Sequence, residues 1–137
     1  MTTTTVPYVP GLAGVPAAES AISFVDGERG VLEYRGFPIE TLAEHSSFEE
    51  VSWLLLRGEL PTASELAGFR AQLAAHRQLP DRMVRMLEAL PGKGHPMAAL
   101  QAAIAALGMF SKQPDRRDAA ELDEAWIRIL ALTPVIV

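Results

Sequence analysis

Apolar and polar positions along this chain follow two different periods. Over 21–25, "AISFV", Ile22 and Phe24 alternate with Ser23 and Val25. Over 31–35, "VLEYR", Val31, Glu33 and Arg35 alternate with Leu32 and Tyr34. A period of two predicts strands. Between them lies Asp26-Gly27-Glu28-Arg29-Gly30, and its glycines suit a hairpin turn because they accept positive φ without steric cost.

After Gly36 the period becomes helical. Pro38 fits a first helical turn, and Ile39, Leu42 and Ala43 then share a face. Ser47-Phe48-Glu49-Glu50 and Thr62-Ala63-Ser64-Glu65 read as capping boxes, in which a hydroxyl accepts a backbone N–H and a glutamate reaches back. The first opens a helix with Val51, Leu54 and Leu55, which stops at Gly58. The second opens a helix with Leu66, Phe69 and Leu73 on one side. Pro80 begins a fourth helix, with Met83, Val84, Leu87 and Leu90 inward and Pro91-Gly92 as its end. Pro96 begins a fifth, with Met97, Leu100, Ile104 and Leu107 on one stripe. A last helix is expected from near Asp115 to Leu132, with Leu122, Trp126, Ile129 and Leu130 facing in. The fold class is therefore mainly α: an N-terminal β-hairpin at about 21–35, then about six helices on short proline or glycine connections.

Composition narrows the function classes. The 137 residues are 49% hydrophobic and 21% charged, which is globular rather than disordered. The net charge of -5 leaves no electrostatic footprint for nucleic acid. The basic pairs Arg82/Arg85 and Arg116/Arg117 are mixed with acids, as on a solvated helix face. No cysteine is present, so disulfides and thiolate chemistry are excluded, and a reducing, cytoplasmic setting is the expectation. No apolar run approaches the roughly 20 residues that span a bilayer, so no membrane partner is expected. The opening "MTTTTVPYVPGLAG" lacks the basic and apolar regions of a signal peptide, and residues 1–20 read as an extended lead-in.

Local motifs for chemistry are absent. A phosphate cradle leads from glycine-rich backbone into a helix, whereas Gly30 leads into a second strand. Asp26 and Glu28 do not supply a calcium loop. His45, His76 and His95 are too far apart in sequence for a local metal motif. His45 reads as a helix-end residue, His76 as a surface residue near a helix C-terminus, and His95 as a cap before Pro96. No Gly-x-Ser-x-Gly elbow occurs, and Ser46, Ser47 and Thr62 are better explained as caps. The ending "TPVIV" is apolar and uncapped, so the chain is expected to be the front portion of something longer.

Taken in order, these elements carry a resemblance. The stretch "GLAGVPAAESAISFVDGERGVLEYRGFPIETLAEHSSFEEVSWLLLRGELPT" resembles the N-terminal segment of the citrate synthase family. That family shows a GL.G lead-in, I-S-x-I-D-G, G-x-L-x-Y-R-G, an I-x-x-L-A helix, S-S-F-E-E-V and L-L-x-G-x-L-P. Ile22-Ser23, Asp26-Gly27, Gly30, Leu32, Tyr34-Arg35-Gly36, Ser46 to Val51, Leu55-Leu56, Gly58 and Leu60-Pro61 match it in order. "LP" at Leu79-Pro80, "HPM" at His95-Pro96-Met97 and the "LTPVIV" ending continue the match.

The resemblance implies the N-terminal part of the large domain over 21–137, in a mainly helical, dimeric enzyme. Such enzymes condense acetyl-CoA with oxaloacetate to citrate and CoA. An aspartate takes the methyl proton, histidines act at the two carbonyls, and arginines bind carboxylates. Those motifs lie downstream of the matched region. No catalytic, cofactor-binding or metal residue is therefore assigned here, none of His45, His76 or His95 corresponds to a catalytic histidine, and the chain alone is expected to be inactive. The expected partners are acetyl-CoA, oxaloacetate, and a second copy or the remainder of the enzyme. The propionyl-CoA-using 2-methylcitrate synthases share this pattern. A stand-alone, non-catalytic helical interaction module is the alternative from another class.

Overall fold

The structure is a computed structural model, and it describes residues 11, 14–16, 18–110, 115 and 117–137. Much of the expected lead-in over 1–20, and Arg116 of the second basic pair, lie outside the described residues. The hairpin and six helices are present, in two compact units that divide after residue 60. Among the described residues no helix is long and apolar enough to cross a membrane.

The first unit begins with a three-stranded antiparallel meander of β1 (Ser23–Asp26), β2 (Val31–Tyr34) and β3 (Phe37–Pro38). Asp26 pairs with Val31 and Ser23 with Tyr34. The turn between them is built as its residues require. The Asp26 carboxylate accepts the N–H groups of Glu28 and Arg29 at 3.1 and 3.0 Å, and Gly30 has φ of 67°. This stretch is therefore a hairpin turn, as its glycines suggest.

β3 was not foreseen. Tyr34 pairs with Phe37, so only Arg35 and Gly36 form the second turn, at φ of 50° and 83°. Two central residues with positive φ are the signature of the type I′ hairpin turn. Strand β2 accordingly ends at Tyr34, one residue before the expected end. Proline has no N–H for a ladder, and Pro38 sits where this is tolerated, at the end of an edge strand and the start of helix α1 (Ile39–His45).

Helix α1 buries Leu42, and α2 (Phe48–Arg57) buries Leu54 completely. The predicted capping box of α2 is formed: Ser47 N–H donates to Glu50 Oε2 at 2.7 Å, and Glu50 N–H to Ser47 Oγ at 3.4 Å. Gly58 takes the left-handed conformation, φ 93°, and its N–H donates to the Leu54 carbonyl at 2.8 Å. A Cβ in that conformation costs about 1–2 kcal/mol, so glycine is the residue that ends the helix here.

The second unit holds α3 (Ala63–Ala75), α4 (Asp81–Glu88), α5 (Pro96–Leu107) and α6 (Ala119–Ile136). Helix α3 opens on the second predicted capping box. Thr62 N–H and Oγ1–H both donate to Glu65 Oε2, at 2.8 and 2.6 Å. Phe69 and Leu73 are buried as expected, and α3 packs against α6. The core gathers Met83, Ala103, Leu107 and Leu132, with Leu79, Met86, Leu87 and Ile136 packed around it.

Several expected faces are rotated. In α5 the buried pair is Ala103 and Leu107, whereas Met97 is 61% exposed. In α4 Val84 is exposed and Met86 takes part in the core instead. In α6 the buried residues are Ile127, Ala131 and Leu132, whereas Trp126 is 56% exposed and Ile129 is exposed as well. Choosing the largest apolar side chains as the inward set is what failed. Ala103 is buried together with Met83, Leu107 and Leu132, so small and bulky side chains share the inward set.

Helix α6 also differs at both ends. It starts at Ala119, because the Asp118 carboxylate accepts the N–H groups of Ala120 and Glu121 at 2.9 and 3.2 Å. It runs on through Pro134 to Ile136. Proline at that place removes a backbone donor. The Thr133 hydroxyl lies alongside and donates to the Ile129 carbonyl at 2.7 Å.

Two predictions follow from this packing and capping. Ala103→Leu overfills the α4–α5–α6 contact and lowers the urea unfolding free energy by about 1–3 kcal/mol. Met97→Ser changes it by less than about 0.5 kcal/mol, since that side chain is exposed. The second concerns pH. Hydrogen bonds from the Thr62 hydroxyl first, and then from the Thr62 N–H, hold the Glu65 carboxyl below its ordinary value. Its stabilisation is therefore complete above the unfolded value, about pH 4.3, and is lost as pH falls through the lower folded value. Melting temperatures taken from pH 6 down to pH 3 fall less steeply for Glu65→Gln than for the parent chain.

Candidate functional site

Described residues of the second unit line a shallow groove of about 240 Å³. It is formed where the C-terminal end of α3, the connection to α4, the end of α5 and the middle of α6 converge. Ala75, Leu107, Phe110 and Leu132 give it an apolar side, and His76, Gln78 and Arg128 a polar one. His76 is positioned as the C-cap of α3, where its backbone N–H donates to the Leu73 carbonyl at 3.2 Å. Arg128 is held by Glu124 one helical turn earlier, with Nη2 to Oε1 at 3.3 Å.

The chemistry open to this groove is limited. It presents a cation, an imidazole and an amide over an apolar floor, but no carboxylate lines it. Proton abstraction beside a carbonyl needs a base and a polarising donor positioned at the same reacting atoms. The groove supplies no such pair.

The three histidines take the roles read from the sequence. His45 occupies the last turn of α1, exposed, with Nε2 3.7 Å from Glu44 Oε2. His76 is the α3 C-cap just described. His95 is the N-cap of α5, and its Nδ1 accepts the Met97 N–H at 3.2 Å. Because Nδ1 accepts there, a neutral His95 carries its ring proton on Nε2. Among the described residues no group of three His, Asp or Glu side chains could hold a metal ion.

The sequence reading missed the role of one side chain, Arg35. Its Nη2 donates to the Leu55 carbonyl at 3.0 Å, which ties the second turn of the meander to the end of α2. The available signal was the two-residue spacing between Tyr34 and Phe37, which forces residue 35 out of strand geometry.

A mainly helical module with an N-terminal meander and well-capped helices is the class that the fold defines. The family model for "Citrate synthase, C-terminal domain" matches residues 11–137. The citrate synthase of Acidithiobacillus ferridurans is 47% identical over 135 residues, which are 95% of this chain and 35% of that protein. The crystal structure of citrate synthase from Pyrobaculum aerophilum superposes with a TM-score of 0.81 at 34% identity, covering 99% of this chain and 36% of that one. A citrate synthase from Thermoplasma acidophilum, solved as a ternary complex with carboxymethyl coenzyme A and oxaloacetate, gives 0.82 at 23% identity, covering 90% and 32%. That last likeness concerns the fold alone. The chain belongs to the citrate synthase family. It spans about a third of the length of the curated relatives it matches.

Proposed function

We propose that this chain forms the front part of the large domain of a citrate synthase-type enzyme, which condenses acetyl-CoA with oxaloacetate to citrate and CoA. The observation that carries this reading is the 47% identity that runs through the meander and the capped helices to a relative named citrate synthase. The order of its motifs supports a position at the front. The reaction takes a methyl proton from the thioester and stabilises the oxygen that gains charge. Neither task has its groups in the groove, so the role of this segment is structural: it carries the meander and the first helices, against which the remainder of the enzyme sets its reactive groups. A homodimer working in the cytoplasm, in the tricarboxylic acid cycle, is the setting that fits this reading.

The test is a chimera in which this chain replaces the matching third of the Acidithiobacillus ferridurans enzyme. CoA release, followed with a thiol reagent, is expected only when acetyl-CoA and oxaloacetate are both present, and the 137-residue chain by itself is expected to release none. A folded but inactive chimera overturns the proposed function. Turnover by the chain alone overturns its structural role.

A further inference from the structure

Arg35 sets two unfavourable features against one strong contact. Its φ of 50° lies in the left-handed region, which disfavours any residue with a Cβ. Its Nε is buried and finds no acceptor among the described residues, which leaves a desolvated donor unsatisfied. Asparagine or glycine suits the first central position of a type I′ turn better. Turn chemistry therefore argues against arginine here.

The favourable contact lies across the fold of the first unit. Nη2 donates at 3.0 Å to the carbonyl of Leu55. Leu55 is among the last four residues of α2, whose carbonyls have no partner within the helix. The same helix end carries partial negative charge, which attracts a cation. Meanwhile the Arg35 N–H donates to the Ile22 carbonyl at 2.9 Å, and Nη1 lies 3.5 Å from the Ala21 carbonyl. One residue thus joins the start of β1, the second turn and the end of α2.

We propose that Arg35 is the C-terminal cap of α2, supplied from the meander, and that turn and helix end form a clasp that opens as one unit. The strained turn is held while the guanidinium sits on Leu55. Release of the guanidinium frees the turn to relax and the last turn of α2 to fray.

Native-state hydrogen exchange on the 137-residue chain tests the clasp. The two reporters are the amide of residue 35, bonded to Ile22, and the amide of Gly58, bonded to Leu54. In the parent chain both are expected to open with equilibrium constants within about threefold of each other, as members of one cooperative unit do. Arg35→Asn and Arg35→Gly, although better turn formers, are expected to lower protection at both sites by about tenfold, while Leu107 in α5 keeps its protection. Unchanged or increased protection of Gly58 in either variant overturns the proposal, and so does independent opening of the two reporters in the parent chain. Should either variant lose protection at Leu107 as well, Arg35→Lys decides, because it keeps the charge without the planar fork. Loss at Gly58 with protection retained at Leu107 supports the clasp, and retention at both sites overturns it.

Discussion

Every helix leaves four N–H groups at one end and four carbonyls at the other without partners, and this constraint organises the whole chain. The N–H groups are answered by Ser47 with Glu50, Thr62 with Glu65, His95, and Asp118. The carbonyls at the end of α2 are answered by Gly58 and, from the meander, by Arg35. Ser47, Glu50, Thr62, Glu65, His95 and Asp118 are engaged in this task. A residue locked as a cap is poorly placed to move a proton for a substrate.

Within that frame, packing depends on small residues. Ala103 faces Met83, Leu107 and Leu132 where α4, α5 and α6 meet, and Ala131 lies buried on α6 beside Leu132. Alanine at these points lets helix backbones approach, and the dense contact that results supplies dispersion energy that a looser arrangement of larger side chains would forfeit. Trp126, Ile129 and Met97, which are bulkier, are exposed.

Membership of the citrate synthase family joins these observations to a function without placing the chemistry in this chain. The chain covers about a third of its relatives' length. A thioester condensation depends on donors held within a fraction of an ångström of their working positions, which rigid, well-terminated elements supply. Capping boxes, a left-handed glycine stop and a clasped turn are devices of that kind.

Local signals fixed much of this structure before any coordinates. The two capping boxes, the Gly58 stop, the turn at Asp26 to Gly30 and the capping role of His95 each depend on residues within a few positions of one another, so the sequence alone determined them. The motif order from Ile22 to Pro61 determined the family in the same way. Two features needed the tertiary structure. The third strand formed only because Arg35 and Gly36 both adopt positive φ, a strained choice that the contact with a helix 20 residues onward accompanies. The inward faces of α4, α5 and α6 were set by which helices approach one another, and periodicity on a single helix cannot report that. Sequence speaks for interactions within about a turn of the chain, and contacts between elements decide the rest.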